Sequence, residues 1–431
     1  MALTFNGTAQ DKALHLKELL AKLESRGQFD GQVLFSKKGN ILLNKAYGTD
    51  KRYGALTTET KINVESIAKE ATAIAIAVLV DKGNLEFDDL LSKHIPEIKS
   101  DQVTLRHVLT HTSGFPRLFE LVFEKWPHDQ FLSNNDLIDL IEKEDVNLDT
   151  TPGEGESYNQ TAYMLLATVV EKASGTNFSE FVHAHIFKPA NMENSIFITD
   201  SEALKSKIGA ANIDNMFAYT LGDGNMYSTA EDLFKLNRAL ANGKILSKSI
   251  LDELYKPLVL NNGEKGRYCL GGNISTNERG ESIVQYIGQG EGTNAIVDFN
   301  LTSNQITIVF HVESVFYAFE VYQTITSAFE GKRYELPEVI TEHLLPEELI
   351  SKYVGDYGDN GFMHITTENG KLFIQPDGNP GKMEIVPSSD TTFFFRNQPV
   401  FWQIYLDEHG NVIGFGPQGE KQHMMRRFGK N

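Results

Sequence analysis

Four residues carry the first chemical signal in this chain: Ser66-Ile67-Ala68-Lys69. Residues three apart on a helix face the same way, so a hydroxyl and an amine at this spacing are neighbours. A serine hydroxyl is a weak nucleophile until a base takes its proton. A lysine amine can be that base once burial and the positive end of a helix favour its neutral form. Taken alone, the pattern also fits a capping serine followed by a solvated lysine. Here S-x-x-K occurs once, directly ahead of an apolar run that extends to about Lys82 and stops at Gly83.

Two further stretches hold matching chemistry. In "TPGEGESYNQTAYMLL", Pro152-Gly153 makes a turn and Tyr158 falls just before a helix starting near Gln160. A phenol beside a lysine and a serine can relay protons. Asn159 or Gln160 can offer an amide to a substrate. In "VQYIGQGEGTNAIVDFN", a strand ends among Gly288, Gly290 and Gly292, where a ligand can approach the backbone closely. No helix follows these glycines, so a phosphate loop is a poor fit. An edge strand suits them better, with the Gln289 amide joining that of Ser66 as an oxyanion hole. One such donor typically lowers a barrier by roughly 3–4 kcal/mol.

The elements that must position these groups are legible from periodicity. Residues Gln10 to Ser25 read as an amphipathic helix, and "GQVLFSKKGNILLNKAYG" as a hairpin. Helical patterns then dominate to about Pro257, after which "RYCLGGNIS", "SIVQYIG", "TNAIVDFN" and "QITIVFHV" read as strands. A helix from about Val315 to Phe329 closes this part. Consecutive strands with short turns favour an antiparallel sheet. The simplest assembly joins the hairpin to the late strands, covers the sheet with the first and last helices, and sets the helical block apart. Ser66 then lies between two lobes, where sites often form. Beyond "GKRYELPEVITEHLLP" the character changes to alternating strands, with Asn369-Gly370 as a strong hairpin turn. The fold class expected is therefore α/β. It comprises an antiparallel sheet flanked by helices and an inserted all-helical lobe (about 84–260), in a domain of residues 1–335. A small all-β barrel of residues 336–431 follows.

Bulk properties narrow the partners. The 431 residues carry a formal charge of -18, which argues against nucleic acid or anionic lipid as a general partner. No apolar run is long enough to span a membrane. The chain as written starts without a signal-peptide pattern, which reads as cytoplasmic, or as secreted or periplasmic if a leader was removed. Cys269 is the single cysteine and reads as a buried small residue. His183 and His185 lack a third ligand, so no metal is expected. Neither G-x-S-x-G nor HExxH is present. Phe115, Leu118, Phe119, Phe123, Trp126 and Phe131 cluster in sequence. They can wall an acyl pocket, act as a lid, or simply fill a core.

The chain resembles the serine β-lactamase and penicillin-binding-protein superfamily, in its class C β-lactamase, D,D-peptidase and esterase branch. S-x-x-K is a signature of that superfamily. "FDGQVLFSKKGNILLNKAYG", "ESIAKEATAIAIAVLVDKGNLEFDDLLSKHIPEI", "PGEGESYNQTAYMLLATVVEKASG" and "NMYSTAEDLFKLNRALANGKILS" resemble family segments, and "TLRHVLTHTSGFP" is the most specific of these strings. The C-terminal part resembles the lipocalin-like domain that follows some of these hydrolases. The resemblance implies Ser66 as acylated nucleophile, Lys69 as its base, Tyr158 as acid/base and Gln289 as an oxyanion-hole donor. It implies a structural role for His111 in a loop beside the site, with Asn159, Gln160, Tyr286 and Gly288 lining the substrate.

Three positions depart from the family pattern. Glu65 replaces the usual small residue before the serine, and either faces solvent or pairs with Lys69. Tyr158-Asn159-Gln160 replaces Tyr-x-Asn, and Tyr286-Ile287-Gly288 replaces Lys-Thr-Gly or His-x-Gly. A tyrosine is neutral near pH 7 and does not attract a substrate carboxylate as a lysine does. The expected function is a serine acyl-enzyme hydrolase or acyltransferase for a small ester, amide or peptide, without cofactor and with a homo-oligomer allowed. The alternatives are a silent binding protein on the same fold, or a true β-lactamase or D,D-peptidase.

Overall fold

The computed structural model describes residues 9–208, 216–290, 292–312, 318–377, 381–395 and 398–428. By contacts the chain divides into two units. Asp30–Val312 makes most of one, and Leu16–Phe29 with the chain after Val312 makes most of the other. The first helix, Ala9–Ser25, straddles that division, and Ala318–Glu330 groups with the C-terminal unit. The start expected for the latter helix, Val315, lies outside the described residues.

In the larger unit, Gly31–Lys37 and Asn40–Tyr47 form the expected hairpin. Gly31–Lys37 is the inner strand and pairs antiparallel with Gln305–Val312, Val33 opposite Val309. The sheet continues through Thr293–Asn300, Ser282–Gly290, Gly272–Thr276 and Tyr268–Cys269, seven strands in all and every pair antiparallel. Hairpin and late strands thus share one sheet. Gln32 latches this sheet to the loops around it. Its side-chain amide donates to the Thr57 and Thr60 carbonyls at 2.8 and 2.7 Å and accepts from the Ala230 N–H at 2.9 Å.

The Ala68–Asp81 helix is apolar but for its first turns and buried from Ala68 to Leu79, which identifies it as a core element and not a surface one. It ends on Gly83, in the left-handed region, with the Gly83 and Asn84 amides capping the Val80 and Leu79 carbonyls at 2.9 Å each. Around it pack the helices of the inserted lobe, chiefly Ala162–Ser174, Phe178–Val182, His183–Phe187 and Lys248–Leu254. Cys269 is buried, as its sequence context suggests, and its thiol is pushed up to about 12 by burial.

The C-terminal unit is a meander of eight antiparallel strands from Gly355–Tyr357 to Met425–Arg426, paired in chain order. A bridge between Tyr357 and Arg427 brings first and last strands together, so the barrel is nearly closed and fits a lipocalin-like domain. Asn369 and Gly370 both take positive φ (51° and 77°), the turn their dipeptide calls for. Tyr353, Tyr357, Phe393 and Phe415 fill its core.

One buried group runs against its surroundings. Glu70 is 1% exposed; neither carboxyl oxygen has a well-formed hydrogen bond among the described residues, and the Asn237 side chain offers only a weak polar contact. Desolvation pushes its carboxyl up to about 8 from 4.5, so it folds as a neutral acid. Between those two values the folded chain holds a proton that the unfolded chain has lost. Stability therefore falls as pH rises through that window, by about 1.4 kcal/mol per pH unit. Urea denaturation at pH 5, 7 and 9 is expected to show this fall in the wild type. Glu70→Gln should flatten it and be the more stable protein at pH 9. Parallel profiles for the two proteins would contradict the assignment.

Candidate active site

Ser66 is placed by a small sheet. Ile62–Asn63 pairs with Met226–Ser228, and the Val64 N–H donates to the Met226 carbonyl at 2.9 Å. The chain then turns sharply. Glu65 takes φ 51°, in the left-handed region, and its N–H donates to Asn63 Oδ1 at 3.0 Å. A short 3-10 turn, Glu65–Ile67, presents Ser66 immediately before the Ala68–Asp81 helix begins. No side chain caps either start, so the Ser66 hydroxyl is not spent as an N-cap.

The hydroxyl instead meets two partners. Lys69 Nζ lies 3.0 Å from Ser66 Oγ, and the Tyr158 hydroxyl donates to the same oxygen at 2.9 Å. Lys69 is 3% exposed and donates also to the Asp223 carbonyl at 2.7 Å. Its Nζ stands over the rings of Tyr158 and Tyr163, at 5.4 and 5.6 Å from their centroids. Tyr158 is 44% exposed, so the group of three opens to solvent on the phenol side.

Tyr158 is held by the "HTSG" string. The His111 carbonyl accepts from the Ser157 N–H at 2.8 Å, and His111 Nδ1 accepts from the Asn159 N–H at 3.2 Å. The His111 ring packs on Tyr158, 4.5 Å between centroids. Thr112 and Gly114 carbonyls accept from the Gly153 and Asp149 amides, both at 2.8 Å. Gly114, at φ 76°, lies so close to the Thr150 carbonyl that any Cβ would overlap it. His111 is pushed down to about 3, first by burial and then by the charges of Lys69 and Arg267. It is therefore a neutral ring with a fixed acceptor nitrogen, which suits a support and not a base.

The remaining residues divide. The Asn159 side chain is taken up within the protein, donating to the Pro116 carbonyl at 2.7 Å and accepting from the Ala162 N–H at 3.3 Å. Tyr286 is turned to the interior, its ring packed on Gly272 and its phenol pushed well above the usual value by burial. The structure does not bring either side chain to the Ser66 hydroxyl. The reason for Tyr286 is strand alternation: Val284, Tyr286 and Gly288 face inward while Ile287 and Gln289 are exposed. Gly288 packs on Val64, where any Cβ would overlap the carbonyl. Pairing with Gly272–Thr276 ends at Gln285, so this part of the strand has the Val64–Ser66 turn beside it. Gln289 sits on this same stretch, and Gln160 is half-buried two residues beyond Tyr158. Glu65 takes a third place besides the two expected, with its carboxyl against Gly290.

Sequence reading missed several supports. Asp223 has no periodic signal, because a loop carbonyl and not its side chain meets Lys69. The loop is fixed by Thr72, whose hydroxyl donates to the Gly222 carbonyl at 2.7 Å. Arg52 pins the glycine turn, pairing with Asp50 at 2.8 Å and donating to the Gly292 carbonyl at 2.6 Å. Among the described residues no cluster of three or more His, Cys, Asp or Glu side chains can hold a metal, and no helix is long and apolar enough to cross a membrane.

Residues 16–321 match the family described as Beta-lactamase, and the chain belongs to that family. Over 93% of this chain and 95% of its relative, it is 29% identical to Penicillin-binding protein 4* of Bacillus subtilis (strain 168). A crystal structure of a penicillin binding protein from Bacillus halodurans superposes with a TM-score of 0.60 at 26% identity, covering 70% of this chain and 99% of that one. The octameric penicillin-binding protein homologue from Pyrococcus abyssi shares the fold over 95% of this chain and 99% of its own, at TM-score 0.60 and 21% identity. Family and relatives together support serine acyl-enzyme hydrolase activity in general terms.

The burial of His111 gives a direct test. Its ring protons should keep one NMR shift from pH 8 down to pH 4, whereas exposed histidines titrate near 6.5. A His111 midpoint near 6.5 would contradict the neutral, buried ring.

Proposed function

We infer that this protein is a serine acyl-enzyme hydrolase or acyltransferase acting on a small ester, amide or peptide. One observation carries the reading: the Ser66 hydroxyl lies within hydrogen-bond reach of a buried lysine amine and a phenol at once. In this reading Ser66 Oγ attacks the substrate carbonyl and Lys69 takes its proton. The charge that develops on the carbonyl oxygen is met by the main-chain amides of Ser66 and Gln289. Tyr158 passes a proton to the leaving group and later helps water or an amine attack the acyl-enzyme. Gln160 and the Gly288 edge line the substrate. Asn159 and Tyr286 enter as supports, because Asn159 is bound to Pro116 and Ala162 and Tyr286 is buried. No metal or organic cofactor takes part in these steps, and assembly as a homo-oligomer belongs to the same reading.

A second reading comes from the name of the Bacillus subtilis relative: Ser66 is acylated by penicillin. The triplet that usually supplies a cation for the carboxylate of such a substrate begins here with buried Tyr286, followed by exposed Ile287. That favours neutral substrates over β-lactams. Gel labelling with a fluorescent penicillin separates the two readings.

Kinetics with p-nitrophenyl acetate and a set of D- and L-amino acid p-nitroanilides test the first. Ser66→Ala should abolish turnover. Lys69→Met should lower kcat/KM by about 10²–10⁴ and Tyr158→Phe by about 10². Wild-type rates in Ser66→Ala would overturn the reading.

A further inference from the structure

The two loops that hold the base and the phenol in place also carry aromatic rings that meet each other. Phe119 and Phe123 lie one turn apart on the Leu118–Lys125 helix, whose other face buries Leu118 and Val122. Their ring centroids are 4.5 Å apart. Phe217, from a different loop, stacks on Phe119 at 5.2 Å with 15° between planes and lies 6.1 Å from Phe123. Phe119 remains 36% exposed despite these contacts.

Both sides of this shelf are tied to the Ser66 group by short tethers. Pro116, just before the helix, accepts from the Asn159 side chain at 2.7 Å, and Asn159 follows Tyr158. Phe217 opens the turn that contains Asp223, since its carbonyl accepts from the Thr220 N–H at 3.2 Å and from the Asn225 side chain at 2.7 Å. The Asp223 carbonyl in turn accepts from Lys69. Phe123 and Phe217 are partly buried against the core, so the open face of the stack is that of Phe119, and a flat apolar partner laid on it would bury what remains exposed. Ligand sites combine such an apolar wall with a few convergent polar groups. The tethers from this shelf lead to the polar groups on Ser66.

We propose that Phe119, Phe123 and Phe217 form the subsite that takes an apolar, ring-bearing group of the substrate. The proposal rests on the hydrolase reading above and adds the substrate class to it. The ring can belong to the acyl group or to the leaving group, and two matched series distinguish these. In the first, p-nitrophenyl acetate is compared with p-nitrophenyl 3-phenylpropanoate. In the second, ethyl acetate is compared with 2-phenylethyl acetate by pH-stat. In one series the phenyl member should have about a tenfold higher kcat/KM. That ratio should fall about tenfold in Phe119→Ala and in Phe217→Ala, and persist in Phe119→Tyr, which keeps a ring. Thermal midpoints and fluorophosphonate labelling of Ser66 confirm that each variant is folded. No ring preference in either series, or one that survives both alanine substitutions, overturns the subsite and leaves the hydrolase standing. If the wild type turns over nothing and takes no fluorophosphonate on Ser66, the hydrolase reading has failed and the subsite falls with it.

Discussion

Everything in the larger unit converges on one oxygen. Ser66 Oγ is shared between an amine three residues further along the chain and a phenol far downstream, at 3.0 and 2.9 Å. The amine comes cheaply, one turn along the same helix. The phenol does not, since Tyr158 is separated from Ser66 by 92 residues. Holding it within hydrogen-bond reach requires a rigid path across the lobe. That path is the "HTSG" loop, where backbone groups of His111, Thr112 and Gly114 clamp the segment leading to Tyr158. Gly114 must be glycine because it combines a left-handed φ with contact against the Thr150 carbonyl. The specificity of "TLRHVLTHTSGFP" as a string thus has a physical cause: its first part is a capped, buried helix and its "HTSG" part positions one side chain.

Charge management around that oxygen follows the same logic. Lys69 is buried among rings and one carbonyl, while the nearest histidine is kept neutral by burial and by the lysine itself. A protonated His111 would repel Lys69 and lose the acceptor that fixes Asn159. On the same helix, Glu70 is neutral because burial outweighs its weak contact with the Asn237 side chain. The long apolar helix therefore carries a lysine and a glutamic acid in adjacent positions that face unlike surroundings. One has a carbonyl and a hydroxyl to meet, and the other has neither.

Periodicity made the hairpin, the central sheet, the helical lobe and the barrel legible, because each buries one face or both with a regular repeat. Ser66, Lys69 and Tyr158 were legible because residue type and spacing carry their chemistry. Position in a motif alone points to Asn159 and Tyr286 as substrate contacts. Their side chains are engaged inside the protein, one by hydrogen bonds to Pro116 and Ala162, the other by strand alternation. Sequence leaves Glu65 either facing solvent or paired with Lys69, but a left-handed φ turns its carboxyl towards Gly290. Asp223 was invisible because a main-chain carbonyl has no sequence signature. The stacking of Phe119 on Phe217 joins loops far apart in the chain, and no local pattern announces it.

The central claim is that an acyl group passes through Ser66. Mixing the enzyme with excess p-nitrophenyl ester, quenching in acid within the first turnover and measuring intact mass tests this most directly. The account predicts a burst of p-nitrophenol matched by one added acyl group, mapped by peptide digestion to Ser66 and absent in Ser66→Ala. Turnover with no acyl group on Ser66, or with the acyl group on another residue, would contradict it.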